Sequence, residues 1–381
     1  MKYFFTLGIH PELSISEIKA KLEQKNILYS IITRHDSFFV IETETEIDLI
    51  DILNQLGGTI KIGEVVEEVK MINQSDLLHH VKVKDDKKNS FGISGYNCEN
   101  DFKRVGLGIK KELKNKGFSM RYVDSKENPL SSVIVQKEIL KKDGTELCLL
   151  KSNNTFLIGK TVAVQDFQKY SHFDYDRPES DSKKGMLPPK LAQIMINLAE
   201  KNISDIIYDP FCGNGTILQQ AILLGHKKVI GSDNDEAQID KTTKNLAWLK
   251  ENLKKEKVDF SEEIFQADAS HESKLESKSI DFIVTEPFLG PPLKGYETEG
   301  QIRKNILQLE HLYENSFTQF NKLLRNDGVI IMIIPSFYIQ EKVYHINISK
   351  LLPKNFTIIK NWQYSRENQK VIRNIYKIDK K

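Results

Sequence analysis

The residues best suited to chemistry lie in one string, Tyr208-Asp209-Pro210-Phe211-Cys212-Gly213-Asn214-Gly215-Thr216. A short β-like run precedes it and an apolar helical repeat follows. Glycines there let backbone approach a ligand closely, at the strand end where open α/β sheets bind cofactors. The third glycine of a dinucleotide site is replaced by Leu218, and Thr216-Ile217 stands where a P-loop needs its lysine, so NAD, FAD and ATP are disfavoured. Asp209 is placed to bind a cationic amino-acid group. Asp233, after the next strand, is placed for a ribose diol, and Asp268, after the third, for an exocyclic adenine amine. A lone Gly-x-Gly is as often a plain turn; three acids at three successive strand ends define a crevice.

Cysteines at 98, 148 and 212 form no CxxC and no paired spacing, which fits neither a disulfide framework nor a zinc cluster and suggests a reducing compartment. Cys212 has no histidine at motif spacing, and His79-His80 reads as a helix end, so neither a thiol nucleophile nor a metal site is expected. The start lacks the apolar run of a signal peptide, and the apolar stretch 328–340 contains Pro335 and is too short for a bilayer. A soluble cytoplasmic protein without a membrane partner is expected.

The elements that must position these residues are α/β throughout. Strands at 205–209, 228–233, 263–267, 280–285 and 328–334 alternate with helices at 216–224, 235–253 and 301–324, the pattern of a doubly wound parallel sheet. Runs 356–364 and 371–378 read as a closing antiparallel hairpin. This domain is expected over 187–381, behind a linker at 166–186 that lacks apolar periodicity. Two smaller α/β domains precede it, at 1–65 and 66–165, divided after the paired glycines Gly57-Gly58 and Gly63.

The 381 residues carry 55 Lys or Arg and 53 Asp or Glu, a balance that says little about a polyanionic partner. Residues 81–170, however, hold 18 basic and 11 acidic residues. Arg104, Lys110, Lys111, Lys114 and Arg121 are dense enough there to neutralise several phosphates together, although any one lysine on a helix is usually just a solvated face.

The string Asp209–Thr216 resembles the first motif of class I S-adenosylmethionine-dependent methyltransferases acting on exocyclic amines of nucleic-acid bases. Phe91-Gly92-Ile93-Ser94, the basic helix, Arg121-Tyr122-Val123 and Leu130-Ser131-Ser132-Val133 resemble a THUMP RNA-binding domain, preceded by a ferredoxin-like domain. The order is similar to that of the archaeal and eukaryotic tRNA guanine-N2 methyltransferases that modify guanine 10. The resemblance implies S-adenosyl-L-methionine as cofactor and tRNA as partner, and puts Asp209, Gly213, Gly215, Asp233 and Asp268 at the cofactor, with Phe211, Thr216, Asn234 and Ala269 beside them. Gly185–Ala192 resembles the segment that the family sets against the cofactor's methionine end, which brings in Met186 and Leu187. A small activating subunit, used by eukaryotic relatives, is not required by the sequence.

The family's catalytic Asp-Pro-Pro-aromatic motif corresponds here to Glu286-Pro287-Phe288-Leu289, one methylene longer at the carboxylate and with the aromatic one place early. Guanine's amine is a poor nucleophile because its lone pair is delocalised. Glu286 and the carbonyl of Pro287 would accept its N–H bonds and hold it in line, while Phe288 stacks on an extruded base or packs in the core. Tyr364, Arg366, Gln369, Lys370 and Arg373, in the terminal hairpin, are candidates for RNA phosphate. The same motifs fit an amino-methyltransferase acting on another RNA or on adenine N6, or a THUMP RNA-binding protein that has lost transfer.

Overall fold

A computed structural model describes residues 1–85, 88–180, 186–256, 258–366 and 369–381. The chain divides into two compact units, Met1–Ile18 with Lys25–Asp166, and Lys19–Gln24 with Phe167–Lys381.

The first unit is built on one eight-stranded sheet. Its strands are β1 (Lys2–Leu7), β2 (Tyr29–His35), β3 (Phe38–Thr43), β4 (Thr59–Val69), β5 (Asn89–Tyr96), β6 (Met120–Val123), β7 (Thr145–Ser152) and β8 (Thr155–Val164), in the spatial order β2-β3-β1-β4-β8-β7-β5-β6. Helices α1 (Pro11–Gln24), α2 (Leu49–Asn54), α3 (Gln74–Leu78), α4 (Lys103–Asn115) and α5 (Ser132–Ile134) occur along it, α5 running on through further helical turns to Lys142. The division expected after residue 65 falls inside β4, which pairs with β1 on one side and β8 on the other. Gly63 misleads because it resembles punctuation. A Cβ there would meet the Lys160 carbonyl oxygen at 2.0 Å and the Phe4 ring at 2.5 Å, so this glycine serves close strand approach, not a turn.

The second unit begins with α6 (Phe167–Tyr175) and α7 (Pro189–Leu198). Helix α6 corrects the linker expectation for its described part. Phe173 is buried edge-on against Trp248, 5.8 Å between centroids, and one such aromatic anchor holds a short helix whose polar residues hide any period. The rest of that linker, 181–185, including Gly185, lies outside the described residues.

Strands β9 (Ile207–Asp209), β10 (Lys228–Asp233), β11 (Ser261–Gln266), β12 (Ile280–Thr285) and β13 (Leu324–Ile339) pair in parallel in the order β11-β10-β9-β12-β13. Helices α8 (Thr216–Leu223), α9 (Glu236–Leu253) and α10 (Glu299–Leu323) connect them, α10 opening on a Thr298/Gln301 capping box. After β14 (Lys342–His345), the hairpin of β15 (Phe356–Tyr364) and β16 (Val371–Lys380) closes the sheet, β16 antiparallel to β13. Tyr313, Phe317 and Phe320 of α10 pack with Ile283 and Ile330 of the sheet in a shared core. From β9 the chain runs outward through β10 and β11, then returns to β12 on the other flank. The carboxyl ends of β9 and β12 therefore bound the switch point at which such sheets bind ligands. Among the described residues no helix is long and apolar enough to cross a membrane.

Candidate active site

Asp209 ends β9, and the chain turns into α8 through two left-handed glycines, Gly213 at φ 53° and Gly215 at φ 82°. The two do different work. A Cβ on Gly213 would meet nothing within 4 Å, whereas one on Gly215 would meet Thr242 at 3.1 Å. Gly213 leaves backbone open to a ligand; Gly215 makes the turn and the packing. The loop is tied down by neighbours: Gly213 N donates to Asp233 Oδ2 (3.0 Å), Thr242 Oγ1 to the Gly213 carbonyl (2.7 Å) and Asn245 Nδ2 to the Asn214 carbonyl (2.8 Å).

Above this loop lies a cavity of about 360 Å³, the size of a small-ligand site. Six of the expected cofactor residues line it, Met186, Leu187, Asp209, Phe211, Gly213 and Thr216, and so does Glu286. Asp209 is 1% exposed and accepts from Thr285 Oγ1 (2.7 Å) and Phe211 N (3.3 Å). Burial pushes its carboxyl up to about 7, with Asp233 and Glu286 adding to the rise. A carboxylate held this way gains most from a cation placed beside it.

Gly215, Asp233, Asn234, Asp268 and Ala269, also expected at the cofactor, are not among the residues lining that cavity. Asp233 spends its oxygens on Gly213 N and Asp235 N, and burial raises its pKa. Asn234 offers its carbonyl to Gln266 Nε2 (3.0 Å). Partial burial favours the neutral form of Asp268, but hydrogen bonds from Ser270, with His271 beside it, outweigh this and hold its pKa below the ordinary value. Ala269 is buried in the core cluster with Tyr313 and Phe317.

Glu286 follows β12 and receives Arg373 Nε at 2.6 Å, an ion pair whose side chains are 15% and 11% exposed. Burial raises the Glu286 pKa and the Arg373 guanidinium opposes the rise. Arg373 is thus turned into the site, which corrects its expected place on RNA phosphate. It lies within β16, opposite Pro335, rather than at the hairpin tip. Tyr364 is buried as well, while Lys370 Nζ donates to the Lys294 carbonyl (2.5 Å) and Arg366 is exposed. Phe288 is 57% exposed and its carbonyl accepts from the Tyr313 hydroxyl (2.7 Å), so it is no core residue. Glu367 and Asn368 of the hairpin turn lie outside the described residues.

In the first unit α4 buries Gly106, Ile109 and Leu113, which leaves Arg104, Lys111 and Lys114 exposed and Lys110 half-buried. Arg121 is partly neutralised by Glu138 at 2.8 Å. The buried Cys212 has its thiol pKa raised by burial, and His79 caps α3. Among the described residues no cluster of metal-ligating side chains occurs.

Asn214, Gln238, Lys241 and Glu179, none of them expected at the site from sequence, also line the cavity. Asn214 was in plain view inside the motif. Gln238 and Lys241, three apart on α9, become visible only when the helix face toward the cavity is known.

A family model described as "RMKL-like, methyltransferase domain" matches residues 178–350, and one described as "DNA methylase" matches residues 26–244. A tRNA (guanine(10)-N2)-dimethyltransferase of Methanothermobacter thermautotrophicus is 26% identical over 379 residues, 97% of each chain. A protein of the same name from Methanocaldococcus jannaschii is 32% identical over 174 residues, 44% of this chain and 46% of that one. Among solved structures, TrmN from Thermus thermophilus matches over all of both chains at 15% identity and a TM-score of 0.59, a likeness of fold.

Proposed function

Because this chain belongs to the methyltransferase family whose model, described as "DNA methylase", covers more than half of it, we propose that it methylates the exocyclic N2 amine of a guanine in tRNA, the guanine at position 10. One observation carries the reading. A cavity at the switch point of the sheet is bounded by a buried carboxylate, Asp209, and by a half-buried one, Glu286, which Arg373 anchors. The names of the two curated relatives support N2 of guanine 10 in tRNA, and extend the proposal to two successive transfers.

The residues present fit S-adenosylmethionine. Asp209 suits a cationic α-ammonium, and Gly213 leaves the cavity floor open where any side chain would intrude. When bound, the cofactor supplies an electrophilic methyl group on a sulfonium centre. Glu286 accepts an N–H of the target amine and takes up the proton released as nitrogen bonds to the methyl carbon. With Arg373 on Oε1, the carboxylate stays oriented, and the guanidinium opposes the rise that burial imposes on its pKa. The exposed Phe288 ring offers a face on which an extruded base stacks. Basic residues of the first unit, Arg104, Lys110, Lys111 and Lys114, with Arg366 and Lys370 of the second, contact RNA phosphate. The first unit acts as a THUMP-type RNA-binding module.

The deciding experiment incubates the protein with radiolabelled S-adenosylmethionine and unmodified tRNA transcript, followed by nucleoside analysis. Label in N2-methylguanosine and N2,N2-dimethylguanosine, abolished by substituting guanine 10, is expected. Label in N6-methyladenosine, or none while cofactor and tRNA both bind, would overturn the guanine assignment or the transfer itself.

A further inference from the structure

We propose that Arg177 is the counter-charge for the α-carboxylate of the bound cofactor, acting through the hydroxyl of Thr216. The inference rests on the S-adenosylmethionine reading above. Arg177 is a positioning residue behind the cavity wall. Its side chain is 1% exposed, and its nearest acid, Asp174, is 3.8 Å away. NH1 donates to Thr216 Oγ1 at 2.8 Å, and NH2 to the thioether of Met186 at 3.4 Å, a weak acceptor. Nε is buried and finds no acceptor among the described residues.

A guanidinium stays charged, and a buried one is normally engaged by a carboxylate in a two-pronged pair. Here Asp174 comes no nearer than 3.8 Å and no two-pronged carboxylate pair occurs among the described residues, and the side chain sits against Thr216 and Met186, which both line the cavity. Thr216 Oγ1 accepts from Arg177 and donates its single proton to Asn214 Oδ1 at 3.0 Å; to serve the carboxylate that proton turns from Asn214 toward the cavity, polarised by the cation behind it. The same cavity is lined by Asp209. A positive charge behind one part of the wall and a carboxylate in another are complementary to a zwitterionic amino acid, the end that distinguishes this cofactor from a simple thioadenosine.

A purely structural Arg177 would tie the segment after α6 to the start of α8, and its loss would weaken every ligand of the cavity alike. The test therefore compares two ligands by calorimetry, without turnover: S-adenosylhomocysteine, and 5′-deoxy-5′-(3-aminopropylthio)adenosine, which lacks only the carboxylate. In the wild type, removal of the carboxylate should weaken binding about tenfold or more. In Arg177→Gln the two affinities should converge, with Arg177→Lys between. An undiminished ratio in Arg177→Gln overturns the proposal while leaving the cofactor reading intact. Failure of the wild type to bind S-adenosylhomocysteine overturns that reading and the inference with it. Should Arg177→Gln not fold, Thr216→Val removes the intermediary hydroxyl at nearly constant volume. Convergence in that variant supports the proposal, and a preserved ratio rejects it.

Discussion

Two ion-paired glutamates, one in each unit, have the same partner distance and opposite surroundings, Glu146 fully buried and Glu286 half-buried. Glu146, on β7, receives Lys61 Nζ at 2.6 Å, Ser94 Oγ at 2.5 Å and Thr161 Oγ1 at 2.5 Å, with the pair's side chains 0% and 2% exposed. Glu286 receives Arg373 Nε at 2.6 Å and no other hydrogen bond among the described residues, and it lines a cavity. A network in which both carboxylate oxygens are satisfied has no capacity left for a substrate and serves architecture. A carboxylate with one anchored oxygen and an open cavity retains an acceptor for chemistry. Burial and ion pairing alone do not mark an active site; incomplete satisfaction next to a cavity does.

The largest effect should come from removing the unsatisfied member. Glu286→Ala is expected to lower kcat by about a hundred- to ten-thousandfold while S-adenosylhomocysteine affinity changes only a few-fold, measured by single-turnover transfer and calorimetry. Normal methylation by that variant would erase the contrast between the two glutamates. Lys61→Met should do the reverse, costing about 3–5 kcal/mol of stability by stranding Glu146, with cofactor affinity unchanged. Denaturant unfolding reads it, and a neutral outcome would mean that the satisfied network contributes nothing.

Arg373→Gln sharpens the comparison within the site, with an expected loss of about ten- to a hundredfold in kcat. The charged groups around Glu286 are Arg373 on β16 and Asp209 on β9, and the phenol of Tyr313 on α10 faces it too. Arg373 lowers the Glu286 pKa, so its loss raises it further, and the acidic limb of the rate profile should move to higher pH. An unmoved limb would reduce Arg373 to a packing residue. Asp209 titrates near 7 before any cation arrives, so S-adenosylhomocysteine should bind more tightly as pH rises toward 7, by about tenfold per unit, and level off above it. Asp209→Asn should flatten that curve. The smallest effect is expected outside both networks. The Lys110/Lys111/Lys114 triple alanine variant should weaken tRNA binding, with the slope of log affinity against log salt shallower by about 2. Unchanged binding would remove α4 from the RNA surface.

Much of this was legible in the chain. The motif 208–216, the alternation of strands and helices from 205 to 334, and the terminal hairpin could all be placed from local pattern, because turn glycines and apolar period are local properties. The helix in 167–175 was not, since a single buried Phe173 held by Trp248 some seventy residues away leaves no period to read. Residue 65 lies inside β4, and the sequence does not show this because Gly63 relieves contact with β8, a strand about a hundred residues later.

Local sequence sets which residue types reach the strand ends: a carboxylate before the glycine turn, a second carboxylate before Pro287 and an aromatic after it. Those follow from neighbours in the chain. How each is used depends on the packing of the folded chain. It put Arg373 rather than solvent against Glu286, directed Asp233 to the loop and away from the cavity lining, exposed Phe288, and buried Arg177 with Asp174 no nearer than 3.8 Å. The physical reason is that charge state, solvation and open hydrogen-bonding capacity are set by groups that pack within a few ångströms, and those come from elements distant in sequence.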